Sequence, residues 1–174
     1  MYYLPFFKNQ HGLAGHVLGG WELSGIGYLY SGLHYTARAS TFSQDLAGLG
    51  LNGNTFSGAR PDLMSSPQQG APHTIDEWFN KGAFAFVPSG EIRPGNERRG
   101  TIEGPPMVRW DANLYKNTNL TERVSLQFRA EAFNVTNHTN YDGFLSTRFG
   151  SGLFAKIAGA RDARVMQLAL KLVF

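Results

Sequence analysis

The end of the chain alternates strictly between large apolar and mixed side chains. The apolar positions are Met166, Leu168, Leu170, Leu172 and Phe174. Successive side chains of a β-strand point to opposite faces, so this period of two predicts a strand over residues 164–174. Lys171 lies on the opposite, mixed face. A continuously apolar face fits either a protein core or the lipid around a membrane β-barrel.

The same alternation recurs earlier in the chain. It predicts further strands near residues 1–7, 20–31, 108–116 and 124–134. In the last three predicted strands the polar set consists of Arg109, Asp111, Asn113, Gln127, Arg129, Glu131 and Lys171. We call these seven residues the polar ladder and expect them to face a barrel lumen. This face mixes complementary charges with neutral amides, which favours a lumen over bulk water.

The strands near 108–116 and 124–134 form a predicted hairpin. With Lys116 opposite Val124, Arg109 faces Glu131 and Asp111 faces Arg129. Opposite charges directly across an antiparallel pair stabilise it by roughly 0.2–1 kcal/mol each, which favours this register. The strand at 164–174 is expected to lie beside the second strand of the hairpin.

The connections differ greatly in length. Long connections at 32–107 and 135–163 alternate with short ones at 8–19 and 117–123, so the long ones leave one end of the sheet. Outer-membrane barrels have short periplasmic turns and long extracellular loops. The predicted fold class is all-β, an antiparallel meander of about five strands from a transmembrane β-barrel. Interfacial aromatic residues are predicted at Trp21 and Phe174 on one side, and at Trp110 and Phe133 on the other.

The composition agrees with this fold class. Charged residues make up 17% of the chain, against about 25% in ordinary soluble domains, and there are 21 glycines. No apolar run approaches the roughly 18 residues of a spanning helix, which excludes a helical membrane protein. The basic residues form no stripe with interleaved aromatics, so we expect no nucleic-acid partner. The N-terminus does not resemble a signal peptide, so an outer-membrane location requires the chain to be part of a longer protein.

Catalytic and cofactor motifs have weak support. Gly48–Gly53 matches G-x-G-x-x-G, but the residues that follow do not form a helix pattern, so we interpret it as a loop. Five histidines lack metal-ligand spacing, and no nucleophile elbow is present. A short helix is predicted at Ile75–Asn80, after Thr74. We expect no enzyme activity, no metal and no cofactor.

Several stretches resemble one family of known proteins. The most specific are W-D-A-N-L-Y-K-N at Trp110–Asn117, the run at Leu120–His138 and the closing run at Ala160–Phe174. G-G-W-E-L-S-G-I at Gly19–Ile26 also matches. On these motifs the chain resembles the C-terminal part of the barrel of TonB-dependent outer-membrane receptors. The most similar group is the Oar-like group, which has an N-terminal carboxypeptidase-regulatory-like domain.

The resemblance implies energised uptake of a large or scarce nutrient: an iron chelate, a cobalamin or a glycan. It implies that the alternation ending in Phe174 is the signal read by the barrel-assembly machinery, and that outer-membrane lipid surrounds the strands. TonB contact would be made only through segments upstream of this chain. The alternatives are a soluble β-sandwich that binds a carbohydrate or another ligand, and a barrel enzyme with a catalytic pair at its rim. The sandwich requires the apolar face of residues 166–174 to be buried under a second sheet.

Overall fold

The computed structural model describes residues 1–39, 60–88, 91, 93–144 and 146–174. The Gly48–Gly53 motif lies outside these described residues. The chain divides into two compact units, which we call the sheet unit and the loop unit. The sheet unit comprises Met1–Tyr30, Val108–Asn140 and Asp162–Phe174, and the loop unit comprises Ser31–Met107 and Tyr141–Arg161.

The described elements are short except for four long strands. In chain order they are β1 (Tyr2–Tyr3), helix α1 (Gly12–Leu18), β2 (Trp21–Tyr30), β3 (His34–Tyr35), β4 (Arg38–Ala39), β5 (Asp62–Leu63), a 3₁₀ turn (Lys81–Ala83), β6 (Phe84–Ala85), β7 (Ile102–Glu103), β8 (Met107–Asn119), β9 (Ser125–Phe133), β10 (Arg148–Phe149) and β11 (Val165–Val173). Among the described residues, no helix is both long enough and apolar enough to cross a membrane.

The sheet unit is built on one five-stranded sheet in the order β1-β2-β8-β9-β11. Each strand lies next to the strand that precedes it within the sheet, which is the arrangement of a meander. The predicted all-β antiparallel fold is therefore confirmed. β11 pairs with β9 along its whole length, from Val165 opposite Phe133 to Val173 opposite Ser125. β11 is an edge strand of this sheet.

The predicted register of the hairpin is wrong. Lys116 lies opposite Phe128, four residues beyond the expected Val124, and Asn119 lies opposite Ser125. β8 continues through Asn119, where a turn was expected, and the turn is reduced to residues 120–124. The Thr121 hydroxyl closes this turn by accepting the Val124 amide at 3.0 Å. Because the shift is an even number of residues, every side chain keeps its predicted face.

The new register separates the predicted ion pairs. Glu131 lies opposite Asn113, so it does not pair with Arg109. Arg129 lies opposite Tyr115, so it does not pair with Asp111. Cross-strand charge attraction of a few tenths of a kcal/mol per pair was too weak to decide the register.

The extended end of β8 is hydrogen-bonded to Gln10, which lies 107 residues before Asn117. The Gln10 side-chain amide donates to the Asn117 carbonyl at 2.8 Å and accepts the Asn119 amide at 3.1 Å. This amide thus replaces the backbone of a neighbouring strand and satisfies polar groups at the end of β8. The segment was expected to be an irregular connection, but it contains α1, which ends where Gly19 donates to the Gly15 carbonyl at 2.9 Å.

The loop unit has its own aromatic core, although its residues were expected to form irregular loops. Phe79 is fully buried, and its ring makes edge-to-face contacts with Phe144 at 5.3 Å and Phe154 at 5.1 Å between ring centroids. Ile102 is also fully buried. Both long connections thus contribute side chains to one core.

The helix predicted at Ile75–Asn80 is absent, so that prediction is wrong. The Thr74 hydroxyl accepts the Glu77 amide at 3.1 Å, which closes a turn with no helix following it. The Trp78 amide donates to the Ala155 carbonyl at 3.0 Å, so tertiary contacts take the place of helical hydrogen bonds. Asn80 then caps the 3₁₀ turn through the Gly82 amide.

The register can be tested by disulfide formation, because the chain contains no cysteine. We expect Ala112→Cys with Ala132→Cys to cross-link efficiently on oxidation, since these residues lie directly opposite each other. The matched control, Ala112→Cys with Phe128→Cys, places the thiols about 13 Å apart along the strand, beyond the roughly 7 Å Cα limit of a disulfide. Mass spectrometry of the oxidised proteins measures both yields. Preferential cross-linking of the control pair would contradict the register.

Candidate functional site

The structure places all seven residues of the polar ladder on one face of β8, β9 and β11. They are Arg109, Asp111, Asn113, Gln127, Arg129, Glu131 and Lys171, and the observed registers bring them into neighbouring rows. Most of these side chains are joined by hydrogen bonds along or across the strands. The face is therefore a connected polar network whose partners differ from the predicted ones.

Glu131 is at the centre of this network. Its carboxylate accepts the Tyr115 hydroxyl at 3.2 Å and the side-chain amide of Gln167. Asn113, directly opposite Glu131, donates to the Ser24 hydroxyl of β2 at 3.4 Å. Four adjacent strands thus contribute polar side chains to this face around one carboxylate.

A second group surrounds Gln127. Arg129 donates to the Gln127 side-chain oxygen at 2.6 Å, and the Gln127 amide donates to Asn117 at 2.7 Å. The Arg129 guanidinium also lies over the Tyr115 ring, 5.5 Å from its centroid. Lys171 lies opposite Gln127 on β11. Arg129 therefore contacts an amide and an aromatic ring, and not the Asp111 carboxylate that was predicted as its partner.

The third group lies near the other end of the strands. Arg109 donates to both carboxylate oxygens of Asp111, two residues away on β8, at 2.7 and 3.0 Å. Asp111 also accepts the backbone amide of Asn134 at 2.9 Å, which fixes the turn after β9. Arg109 lies over the ring of Phe133, 5.9 Å from its centroid, so Phe133 belongs to the polar face. The prediction that Phe133 joins an interfacial girdle with Trp110 is wrong.

The opposite face is apolar and exposed. Leu168 and Leu170 are each 70% exposed and Phe174 is 88% exposed, and Met166 and Leu172 are also exposed. Trp110 covers Gly27 of β2, where an added Cβ would lie 2.6 Å from the indole ring. Glycine at this position lets a bulky aromatic lie flat on the apolar face.

In the loop unit, an ion pair joins two segments far apart in sequence. Arg93 donates to both carboxylate oxygens of the buried Asp62, at 2.7 and 2.6 Å. Asp62 also accepts the Asn96 amide at 3.0 Å. The hydrogen bonds from Arg93 hold the pKa of the Asp62 carboxyl below its ordinary value, although burial opposes this. The pair therefore fixes β5 to the segment at 93–96.

Glu97 is a second buried carboxylate of the loop unit, with only 2% of its surface exposed. Its Oε1 atom accepts the Ala37 amide and the Thr101 hydroxyl, both at 2.8 Å, while Oε2 has no hydrogen-bond partner. Burial raises the pKa of Glu97, and the hydrogen bonds from Thr101 and Ala37 only partly oppose this. Its ionised form therefore destabilises the folded loop unit at neutral pH.

Sequence reasoning missed several members of these groups. Tyr115 and Gln167 share the alternation of the ladder, so the period of two was a sufficient signal for them. Asn117 was predicted to lie in the turn, because the residues around it give no sign that β8 extends further and bonds to Gln10. Asp62 and Glu97 lie in segments without periodicity and had no sequence signal. Within the described part of the chain, no cluster of three or more histidine and carboxylate side chains is arranged to hold a metal ion.

The two buried carboxylates predict opposite effects of pH on the loop unit. Asp62→Asn should lower the free energy of unfolding of the loop unit by roughly 1–3 kcal/mol at pH 7. The loss is no larger because Arg93 is partly solvated, and water screens its attraction to Asp62. The stabilisation by Asp62 is present above its ordinary pKa of 3.8 and is lost as the pH falls through its lower folded pKa. The difference in free energy of unfolding between Asp62→Asn and the wild type should therefore disappear in strong acid.

The matched control is Glu97→Gln, which should stabilise the loop unit at neutral pH. This gain should vanish as the pH falls below the ordinary glutamate pKa of 4.5, where Glu97 is protonated in both states. Both variants would be unfolded in urea and followed by the fluorescence of Trp78 after Trp21 and Trp110 are changed to Phe. Parallel pH profiles for the two variants would contradict this account.

Comparison with known proteins agrees with the sheet. The family model described as an outer membrane beta barrel domain matches residues 1–167, nearly the whole chain. No curated protein and no solved structure matches the chain. Five antiparallel strands, one face polar and the other apolar and exposed, are the structural counterpart of this match. The chain belongs to the outer membrane β-barrel family, and its location is the bacterial outer membrane.

Proposed function

We propose that the chain is the C-terminal part of a TonB-dependent receptor that takes up a large or scarce nutrient. The candidates are an iron chelate, a cobalamin or a glycan. The main support is the exposure of the apolar face of β11, with Leu168 and Leu170 each 70% exposed. Family membership supports the barrel, and the motifs at Trp110–Asn117, Leu120–His138 and Ala160–Phe174 support the receptor.

The exposed face also argues against a soluble β-sandwich. A sandwich buries this face under a second sheet about 10 Å away. Among the described residues, the sheets other than the five-stranded one have only two short strands each. Burying a leucine or methionine side chain in hydrocarbon stabilises a structure by roughly 1.5–3 kcal/mol relative to water. Lipid is therefore the environment that best fits β11.

The lipid assignment for this face makes the polar ladder the lumen surface. The face contains Arg109, Arg129 and Lys171 together with Asp111, Glu131 and Glu22, which are three cationic and three acidic side chains. Their charges balance, and hydrogen bonds join Arg109 to Asp111 along β8 and Glu131 to Tyr115 and Gln167 on the neighbouring strands. We propose that the ladder holds the strands in register and keeps the lumen wet. The Asp111 and Glu131 carboxylates are occupied by these partners, which makes them poor acid–base catalysts and favours a receptor over a barrel enzyme.

The loop unit is the part that we propose contacts the nutrient. Long loops on a rigid scaffold commonly provide recognition, and described residues of both loops pack here into one aromatic core. The Asp62–Arg93 pair adds a second fixed point. A preorganised surface loses less conformational entropy when it binds a ligand than a mobile loop does.

Two further partners belong to this proposal. The barrel-assembly machinery would recognise the alternating strand that ends in Phe174. TonB would act through segments upstream of these strands. Neither partner requires a cofactor or metal in this chain.

The test is uptake in the bacterium that makes the protein. Radiolabelled ferric chelates, cobalamin and oligosaccharides would be supplied to the wild type, a strain lacking the gene and a strain lacking TonB. We expect uptake of one of these nutrient classes to need both the gene and TonB. Unchanged uptake of all three classes in the strain lacking the gene would overturn the proposal.

A loop variant then locates recognition. Phe79→Ala with Phe154→Ala removes two rings from the loop core, and each substitution should cost about 3–5 kcal/mol. We expect the nutrient uptake to fall while the amount of protein in the outer membrane is unchanged. Ile75→Ala is the matched control, because Ile75 is 58% exposed and lies outside the core. Equal uptake by the two variants would place recognition elsewhere.

A further inference from the structure

Helix α1 presents an uncovered apolar side. Gly15 is buried, and a Cβ added there would lie 2.7 Å from the Gln10 backbone, so this side of the helix is packed. At 100° per residue, Leu13 and Val17 point away from Gly15, and they are 85% and 56% exposed. Two aliphatic side chains one turn apart thus face outward together.

The end of α1 is attached to the rim of the apolar face of the sheet. Trp21 of β2 donates from its indole nitrogen to the Val17 carbonyl at 3.0 Å. Lys116 of β8 donates its ammonium to the Gly19 carbonyl and lies over the Trp21 ring, 5.5 Å from its centroid. Lys116 alternates with Trp110 on β8, and Trp21 alternates with Gly27 on β2, so both residues lie on the apolar face. The helix is therefore continuous with the surface that contacts lipid.

The elements around α1 have the chemistry of a membrane interface. Tryptophan is enriched at the headgroup level of membranes, and lysine extends its ammonium toward phosphates there. Residues 12–18 contain no acidic side chain, and His16 is the only titratable residue among them. An anionic phospholipid surface therefore meets no repulsion from the helix. Short turns identify this end of the sheet as the periplasmic side.

We propose that α1 is an interfacial helix that lies on the inner leaflet of the outer membrane, with Leu13 and Val17 inserted among the lipids. This rests on the proposed lipid contact of the apolar face. The helix extends the lipid contact of the barrel sideways beyond its strands. Trp21 and Lys116 fix its depth, because both bond to the backbone at its C-terminal end. The partner is a phospholipid surface, and a protein occupant is the competing outcome of the test.

The test uses single-cysteine nitroxide labels, which the absence of native cysteine permits. Leu13→Cys and Val17→Cys are made in the full-length protein, which is reconstituted into phosphatidylethanolamine and phosphatidylglycerol vesicles. Electron paramagnetic resonance then measures collision of each label with oxygen, which dissolves in lipid, and with a water-soluble nickel complex. We expect oxygen collisions to exceed nickel collisions several-fold at both positions.

Two controls make each outcome decisive. Leu170→Cys on the apolar face should behave like Leu13→Cys, and Glu122→Cys, in the turn at the same end of the sheet, should show the reverse preference. Labels at Leu13 and Val17 that prefer nickel, or that neither reagent reaches, would overturn the interfacial helix in favour of water or a protein cover. If Leu170→Cys also fails to prefer oxygen, the proposed membrane contact of the sheet fails as well.

Discussion

Each long strand of this protein has to satisfy two different environments, one on each face, and the rest of the structure depends on this constraint. Backbone pairing along β8, β9 and β11 aligns alternate side chains on the same face of the sheet. The position of each residue in this alternation therefore decides whether it lies on the polar or the apolar face. A slip of one residue would place Arg129 and Glu131 on the apolar side. A slip of four residues preserves both faces, and this is the difference between the predicted and observed hairpins.

The polar ladder satisfies this constraint mainly with neutral partners. Glu131 is surrounded by a tyrosine and a glutamine, and Arg129 by an amide and a ring. Each such hydrogen bond contributes only about 0.5–1.5 kcal/mol, or somewhat more to a charged group. Their number and connection across strands make the face specific, since no single ion pair dominates it. A face of this kind tolerates water on one side without needing a packed core.

The loop unit meets a different constraint, because backbone polar groups and apolar rings have to be enclosed without long strands. It does so with an aromatic core around Phe79, and with the buried pair of Asp62 and Arg93. Among the described residues, three two-stranded pairings join further segments of this unit. Residues from both long connections join this one core. Recognition surfaces of receptors need such internal support to hold their shape.

The sequence by itself determined the long strands and the faces of the last three, because a period of two is a local property and is visible over nine residues. It also indicated an outer-membrane β-barrel, which the family match confirms. It placed all seven ladder residues on one face and identified Leu168, Leu170 and Phe174 as an apolar set. Tertiary structure decided the register, the loop core and α1. Gln10 bonds to the extended end of β8 from 107 residues away, and the loop core contains rings from two separate connections. Contacts between distant segments leave no periodic signal, so only the folded chain reveals them.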